Sequence, residues 1–263
     1  MTDGPLWFVG CGNMAGAMVD GWRRAGTDFS NALAIRPSGR SVEGVPTVSA
    51  IPDSGEPATV ILGFKPQKLD EVVPVLEPRV GPQTQVISIL AGVELSSLRA
   101  RFPRAASIVR AMPNLPVSEG RGVVALVGEG PIDPALAKFF GALGQIHIAG
   151  DEAEFGAIGA LAGAGPAYVA RFVAALAKAG VERGLSPPDS ARIALQTVLG
   201  TSLMAETHGE DMESIARRVA SPNGTTEAGL AVLDEGGALD LLVSRTLEAA
   251  SRRSAELAAA ARG

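Results

Sequence analysis

The chain contains 263 residues, of which 46% are apolar and 4% aromatic, with a single Cys and two His. This length fits one or two domains with a sizeable core. One cysteine, Cys11, excludes an internal disulfide, and the chain has too few Cys and His for a zinc cluster, so we expect no metal site. The net charge of −5 argues against a nucleic-acid-binding protein, which needs a basic face.

The first residues, Met1–Pro5, are short and polar and lack the basic and apolar regions of a signal peptide. The longest uncharged run, Phe155–Ala170, is shorter than the ~20 apolar residues of a membrane span. We therefore expect a cytoplasmic protein with no membrane partner.

In residues 1–150, short apolar runs alternate with helical patterns. The predicted strands are Leu6–Gly10, Ala32–Ile35, Thr59–Phe64, Gln85–Ile89, Ser107–Ala111 and Val123–Val127. The predicted helices are Ala15–Ala25, Pro66–Leu76, Leu95–Phe102 and Pro134–Leu143. Strands that are apolar on both faces and separated by helices predict a parallel sheet covered on both sides, in a doubly wound, Rossmann-like α/β domain.

Residues 151–263 contain no aromatic side chain after Phe172 and are rich in Ala and Leu. The predicted helices are Glu152–Ala162, Pro166–Arg183, Pro187–Glu206, Met212–Val219, Thr225–Glu235 and Ala238–Ala260. A largely Ala face buries little area, so such helices gain by packing against another subunit. The pattern predicts an all-helical dimerisation domain, with a monomeric bundle as the alternative.

A glycine-rich turn follows the first predicted strand, in the order Gly10-x-Gly12-x-x-Ala15. Gly10 permits a tight turn, Gly12 lets a pyrophosphate approach the backbone, and the small Ala15 allows close packing of helix on strand. This position in a βαβ unit predicts a dinucleotide site, with the candidate residues Val9, Gly10, Cys11, Gly12, Asn13 and Met14.

The second predicted strand ends before Arg36, Ser38 and Arg40, where an NAD site usually has an acidic residue for the ribose hydroxyl. Arg binds phosphate bidentately, so these residues suit a 2′-phosphate. We therefore predict NADPH as the cofactor and NADH as a weaker alternative, and note that Arg40 could equally be a solvated loop charge.

Further loops at the carboxyl ends of strands should border the cofactor. Asn114, after the strand that begins at Ser107, could hydrogen-bond a nicotinamide carboxamide. The other candidates in these loops are Gly63, Lys65, Pro66, Ile89, Ala91 and Gly92.

In the helical half, Ser221-Pro222-Asn223-Gly224-Thr225-Thr226 precedes a helical run. Free N–H groups at a helix start attract an anion such as a carboxylate. The alternative is an ordinary Ser/Thr helix cap.

Six segments in order resemble the pyrroline-5-carboxylate reductase family over nearly the whole chain. They are Gly10-x-Gly12-x-Met14, Phe64-Lys65-Pro66, Ser88 with Ala91-Gly92, Met112-Pro113-Asn114, Gly163-x-Gly165-Pro166-Ala167-Tyr168 and Ser221-Pro222-x-Gly224-Thr225-Thr226. The resemblance implies that Gly224, Thr225 and Thr226 bind the pyrroline carboxylate and that Thr226 also hydrogen-bonds the ring nitrogen. It further implies hydride transfer from NADPH to the imine carbon, giving L-proline, in an interlocked homodimer often assembled into larger rings.

The chain departs from the family pattern at four positions. Ala162 and Ala164 stand where the family usually has Ser, Asn223 where a second Gly is usual, and Leu115 where Thr is common. These departures leave open a reductase of a related cyclic imine acid, such as a piperideine carboxylate, and a non-catalytic NADP(H)-binding sensor. A 3-hydroxyacid dehydrogenase is disfavoured because Lys178, the single lysine after residue 150, lies mid-helix outside that family's motif.

The imine needs no histidine, because a protonated imine is already electrophilic and the protein mainly has to position it against the hydride donor. We expect structural roles for His147, on an apolar strand, and for His208, in a polar loop.

Overall fold

A computed structural model describes residues 4–262. Its strands are β1 Leu6–Val9, β2 Ala32–Ile35, β3 Thr47–Val48, β4 Thr59–Leu62, β5 Gln85–Ser88, β6 Ser107–Pro113, β7 Gly122–Gly128 and β8 Gly144–Ile148. Its α-helices are α1 Asn13–Arg24, α2 Leu69–Leu76, α3 Leu95–Arg101, α4 Pro134–Gly141, α5 Glu152–Ile158, α6 Gly165–Val181, α7 Pro187–His208, α8 Met212–Val219, α9 Thr225–Asp234 and α10 Ala238–Arg262.

The eight strands form one sheet in the order β3-β2-β1-β4-β5-β6-β7-β8. This confirms the doubly wound α/β prediction, with the reversal of strand order beside β1. One pair departs from the expected parallel sheet, because β7 is antiparallel to β6. The physical reason is the length of their connection. It spans residues 114–121, too short for a crossover of a dozen or more residues, and holds only the 3₁₀-helix Leu115–Glu119.

Both faces of the sheet are buried, which explains the apolar runs of the central strands. In β1, Leu6 and Phe8 face a cluster with α1 and α4, whereas Trp7 and Val9 face a second cluster with α2 and α3. Successive side chains of a strand point to opposite faces, so a strand covered on both sides has no position that faces solvent.

The helical predictions hold with small shifts at their ends, and two segments differ in type over part of their length. The predicted helix Pro66–Leu76 begins as the 3₁₀-helix Pro66–Lys68 and continues as α2. The predicted helix Glu152–Ala162 is an α-helix to Ile158 and then a π-helix over Gly159–Gly163. A π-helix has wider turns than an α-helix and is often found at functional sites.

The chain divides into two compact units. One spans the residues up to Gly165 together with the C-terminal segment from Ala249, and the other spans Pro166–Glu248. The predicted boundary at residues 150/151 lies just before α5, ahead of this division after Gly165, and stays a prediction.

Candidate active site

Four neighbouring strands end at the same level of the sheet. Val9 is aligned with Ile35 on one side and with Leu62 on the other. Leu62 is in turn aligned with Ser88. The loops that follow these four strands therefore start side by side at one edge, where open α/β sheets bind their ligands.

The loop after β1 passes directly against the loop after β4. Gly10 has a φ of +79°, and a Cβ atom there would lie 2.8 Å from the Cβ of Phe64. A Cβ atom at Gly63 would lie 2.5 Å from the carbonyl oxygen of Gly10. Both glycines are thus required by the backbone itself, whether or not a ligand is bound.

The amino-terminal end of α1 is open. Gly12 is its N-cap residue, no side chain of residues 4–262 caps it, and its first turn carries no acidic residue. A Cβ atom built on Gly12 meets nothing within 4 Å, in contrast to Gly10 and Gly63. Unpaired N–H groups facing open space are the donor set that binds a phosphate group, so this end fits the pyrophosphate of a dinucleotide.

Arg36 follows β2, and its charge reaches the glycine-rich loop. Its backbone N–H donates to the carbonyl of Val48 at 2.8 Å, and its side chain is half-buried. Burial raises the pKa of the Cys11 thiol to about 11, and the nearby Arg36 charge partly opposes this shift. Cys11 is therefore a neutral thiol near pH 7, and Arg36 stands beside the loop that would hold the pyrophosphate.

Ser38 and Arg40 lie in an exposed turn, where the backbone N–H of Arg40 donates to Ser38 Oγ at 3.4 Å. In the described part of the chain, neither Arg36 nor Arg40 has an ion-pair partner. Both guanidinium groups are thus available to a phosphate, with Arg36 the closer to the glycine-rich loop.

The loops after β4 and β5 carry the other cofactor candidates. Lys65 is exposed and precedes Pro66, the first residue of the short 3₁₀-helix Pro66–Lys68. Gly92, which follows the exposed Ala91, has a φ of +75°. The backbone N–H of Ile89 donates to Leu62 at 3.0 Å and so extends the aligned edge.

Asn114 lies beyond the end of β6 and is only 7% exposed. Its Oδ1 accepts a hydrogen bond from the backbone N–H of Val123 at 2.8 Å. Its Nδ2 donates to the carbonyl of Ala162 at 3.0 Å. Both ends of the side-chain amide are therefore bonded within the protein, a fact that no local pattern around Asn114 could reveal.

In the second unit, the loop 221–224 leads into α9 with Gly224 as its N-cap residue. No side chain of the described residues caps this end, so the structure does not show the ordinary Ser/Thr cap that was the alternative. A Cβ atom at Gly224 would lie 2.4 Å from Ser221 Oγ, so the loop is tight. Thr225 is exposed and Thr226 half-buried, and neither hydroxyl has a hydrogen-bond partner in the described part of the chain.

Two polar neighbours shape the same loop. Asn223 has a φ of +58° and is the one non-glycine residue with a positive φ in residues 4–262. Its backbone N–H donates to the Glu227 carboxylate at 2.7 Å. Asparagine tolerates this left-handed conformation better than most residues, so it can replace the glycine usual there.

Comparison with known proteins identifies the family. A family model described as pyrroline-5-carboxylate reductase dimerisation matches residues 152–257. A pyrroline-5-carboxylate reductase of Pseudomonas aeruginosa is 34% identical and covers 98% of both chains. The chain belongs to the pyrroline-5-carboxylate reductase family. A reductase of Synechocystis is 40% identical over 80% of both chains.

Solved structures of the family share this fold. A pyrroline-5-carboxylate reductase of Coxiella burnetii matches with a TM-score of 0.86 and 30% identity, over 97% of this chain and 98% of that one. A pyrroline carboxylate reductase of Plasmodium falciparum with NADP bound matches with a TM-score of 0.83 and 25% identity, over 98% and 99% of the two chains. The Rossmann-like domain followed by a helical dimerisation domain is thus the architecture of this reductase family.

A buried ion pair was missed by the sequence reasoning. Arg110 is level with Ser88 in the sheet, 8% exposed, and paired with Glu152 at the start of α5. Burial lowers the pKa of the Arg110 guanidinium, and the Glu152 carboxylate opposes that shift. The other Glu152 oxygen accepts from the backbone N–H of Leu95 at 2.9 Å. In this reductase the Arg110–Glu152 pair therefore links the start of α3 to β6.

Proposed function

We propose that the protein reduces 1-pyrroline-5-carboxylate to L-proline with NADPH, the last step of proline biosynthesis. The observation that carries the proposal is the open start of α1 beside Arg36, at the aligned edge of the sheet, in a chain of this family. The curated relatives carry the reductase name along nearly the full chain, and the Plasmodium falciparum protein has NADP bound.

The residues at the sheet edge fit a dinucleotide phosphate. The open space over Gly12 leaves room for the pyrophosphate against the N–H groups of α1. Arg36, with Ser38 and Arg40 behind it, provides charge and a hydroxyl for the 2′-phosphate. Lys65 and the loop at Gly92 would border the rest of the cofactor.

The start of α9 fits the carboxylate of the substrate. The N–H groups that follow Gly224 are uncapped, and an anion is stabilised at such a helix start. Thr226 has a free hydroxyl beside them and would hydrogen-bond the ring nitrogen. Glu227 lies in the first turn of α9, and its carboxylate accepts a hydrogen bond from the backbone N–H of Asn223 at 2.7 Å.

When bound, NADPH supplies a hydride for the imine carbon. The chain has to hold the imine at the hydride donor and exclude water, which are effects of proximity. Neither histidine takes part in this proposal. His147 is paired with Glu154 at 2.8 Å, and His208 ends α7 rather than lying in a loop.

Exposed apolar stripes support a homodimer. Side chains on α6 recur at spacings of three and four, and side chains on α7 recur every four residues, so each set lies on one helix face. Apolar areas of this kind on a soluble protein mark interaction surfaces. The exposed residues are Val169, Phe172 and Leu176 on α6, and Leu195, Leu199 and Leu203 on α7.

The helical run Glu152–Val181 is long and apolar enough to cross a membrane, and 6% of its most apolar window is buried. The dimerisation family model covers this run, so we expect a second subunit rather than lipid to cover it. We therefore infer a cytoplasmic homodimer, with a ring of dimers as the larger assembly. Light scattering at several protein concentrations tests the dimer and the ring.

The decisive experiment mixes the purified protein with NADPH and 1-pyrroline-5-carboxylate and follows the absorbance of the reduced cofactor. Substrate-dependent oxidation supports the proposal. Faster turnover with a six-membered piperideine carboxylate would assign the protein to that substrate instead. Tight NADPH binding without oxidation of NADPH in the presence of either substrate would refute the reductase activity and favour a non-catalytic sensor.

A variant of the substrate loop tests the role of its hydroxyl. Thr226→Ala should lower kcat by about tenfold or more and leave the dissociation constant of NADPH unchanged, because one hydrogen bond to the imine is lost. Thr225→Ala is the matched control, since Thr225 is exposed and is proposed to bind the carboxylate through its backbone N–H, which alanine keeps. An unchanged rate in Thr226→Ala would remove this residue from the mechanism.

A further inference from the structure

Strand β6 and the helical segment made of α5 and the following π-helix run side by side in the first unit. Every second residue near the end of the strand contacts this segment. The contacts in order are Arg110 with Glu152 and Phe155, Met112 with Gly159, and Asn114 with Ala162.

The spacings of the two elements match along this set of contacts. From Arg110 to Asn114 a strand advances about 13 Å. From Glu152 to Ala162 an α-helix advances about 15 Å. Packing at the middle contact is close, since a Cβ atom at Gly159 would lie 2.6 Å from Sδ of the flexible Met112 side chain. The helical segment is thus held in register with the strand at three successive points.

The last contact satisfies a carbonyl that the helix itself cannot pair in the usual way. In a continuous α-helix, the carbonyl of Ala162 would accept from the N–H of residue 166. Residue 166 is a proline, which has no N–H. The Nδ2 group of Asn114 supplies a donor to this carbonyl at 3.0 Å.

The side-chain amide of Asn114 is held by the protein at both its oxygen and its nitrogen. Its Oδ1 is bonded to the N–H of Val123, and its backbone N–H donates to the carbonyl of the same residue at 3.2 Å. We propose that Asn114 is a positioning residue that fixes the π-helical joint before Pro166, and does not bind the nicotinamide carboxamide directly.

The expected effect on catalysis rests on the proposed function. The joint ends at Gly165, the last residue of the stretch of the first unit that also carries the nucleotide loops. Hydride transfer needs the donor and the imine carbon about 3–3.5 Å apart, and a displacement of about 1 Å costs on the order of a hundredfold in rate. A loosened joint should therefore lower kcat and leave NADPH binding intact.

A double-mutant cycle tests this role. Asn114→Ala should lower kcat by about tenfold, which corresponds to ~1.4 kcal/mol. Pro166→Ala restores an N–H for the carbonyl of Ala162, so Asn114→Ala in that background should cost less than about threefold. Equal losses of kcat in the wild-type and Pro166→Ala backgrounds would overturn the proposal.

Binding measurements separate positioning from direct contact. In Asn114→Ala, the dissociation constants of NADPH and of 2′-phospho-ADP-ribose, which lacks the nicotinamide ring, should both stay within about twofold of the wild type. A loss of affinity for NADPH alone would assign Asn114 to the carboxamide and refute the positioning role. Asn31→Ala, at an exposed site before β2, is the control and should change neither constant.

Amide hydrogen exchange measures the local stability of the joint independently of any enzymatic assay. Asn114→Ala should speed amide exchange in residues 159–165 by about tenfold, because a buried hydrogen bond is lost. Unchanged exchange there would contradict the proposal even in a protein that proves inactive as a reductase. If Asn114→Ala does not fold, Asn114→Asp serves instead, since it keeps the acceptor for Val123 and removes the donor to Ala162.

Discussion

Substitution of Gly12 by alanine tests whether the open space over this residue is occupied by the bound cofactor. Gly12 has a φ of −83° and a ψ of −157°, a conformation that alanine adopts without strain. A Cβ atom there meets no protein atom within 4 Å. No contact within the folded protein therefore requires a glycine at this position.

The magnitudes follow from the same geometry. Alanine is a poorer N-cap residue than glycine, so Gly12→Ala should cost ~1 kcal/mol or less of unfolding free energy. A methyl group in the space of a bound pyrophosphate acts as overpacking, which costs ~1–3 kcal/mol. We thus expect the dissociation constant of NADPH to rise about tenfold or more, with stability nearly unchanged.

Urea unfolding and a fluorescence titration with NADPH measure the two effects. Gly16→Ala is the matched control, because Gly16 lies inside α1 and its Cβ atom also meets nothing within 4 Å. That variant should keep NADPH affinity and gain up to ~1 kcal/mol of stability from helix propensity. Unchanged NADPH affinity in Gly12→Ala would refute the placement of the pyrophosphate at this helix start.

Three further predictions concern the first unit. Arg36→Gln should weaken NADPH by more than about tenfold and NADH by less than about twofold, because only NADPH carries the 2′-phosphate; equal losses in a titration of both cofactors would make Arg36 structural. Gly63→Ala should lower the unfolding free energy by ~1–3 kcal/mol, since its Cβ atom would lie 2.5 Å from the Gly10 oxygen, and an unshifted urea curve would contradict this. A hydrogen bond from Arg99 holds the pKa of Glu129 below its ordinary value, so this carboxylate stabilises the fold above pH ~4.3 and less as pH falls through the lowered pKa. Glu129→Gln should therefore show a smaller drop in Tm between pH 5 and pH 3 than the wild type. An identical drop would show that the Arg99–Glu129 ion pair does not stabilise the fold.

The sheet could be predicted from the sequence because its central strands are buried on both faces. The apolar run at Leu6–Val9 leaves no position that faces solvent, which is typical of a strand covered on both faces. The antiparallel step between β6 and β7 was harder to predict, since an apolar run has no direction. Only the short connection after Asn114 indicates it, because a crossover helix does not fit in that length.

The candidate site divides into backbone features and side-chain contacts. The turn at Gly10 and the open helix start at Gly12 are local, so a short motif is enough to predict them. The carboxamide of Asn114 could not be assigned in this way. Its partners lie 9 and 48 residues away, and the distant one is a backbone carbonyl that carries no sequence signal.

The need of Arg110 for an acidic partner follows from the sequence, whereas the identity of that partner does not. A single charge in the strand Ser107–Pro113 must be buried, and a buried charge requires an acidic partner. That rule predicts a carboxylate above β6 but does not choose Glu152, which lies 42 residues further along the chain. The choice follows from the antiparallel β7 and the parallel β8, which bring the start of α5 back over β6. Because the second oxygen of Glu152 holds the N–H of Leu95, the same pair that neutralises Arg110 also fixes the end of the loop that carries Gly92.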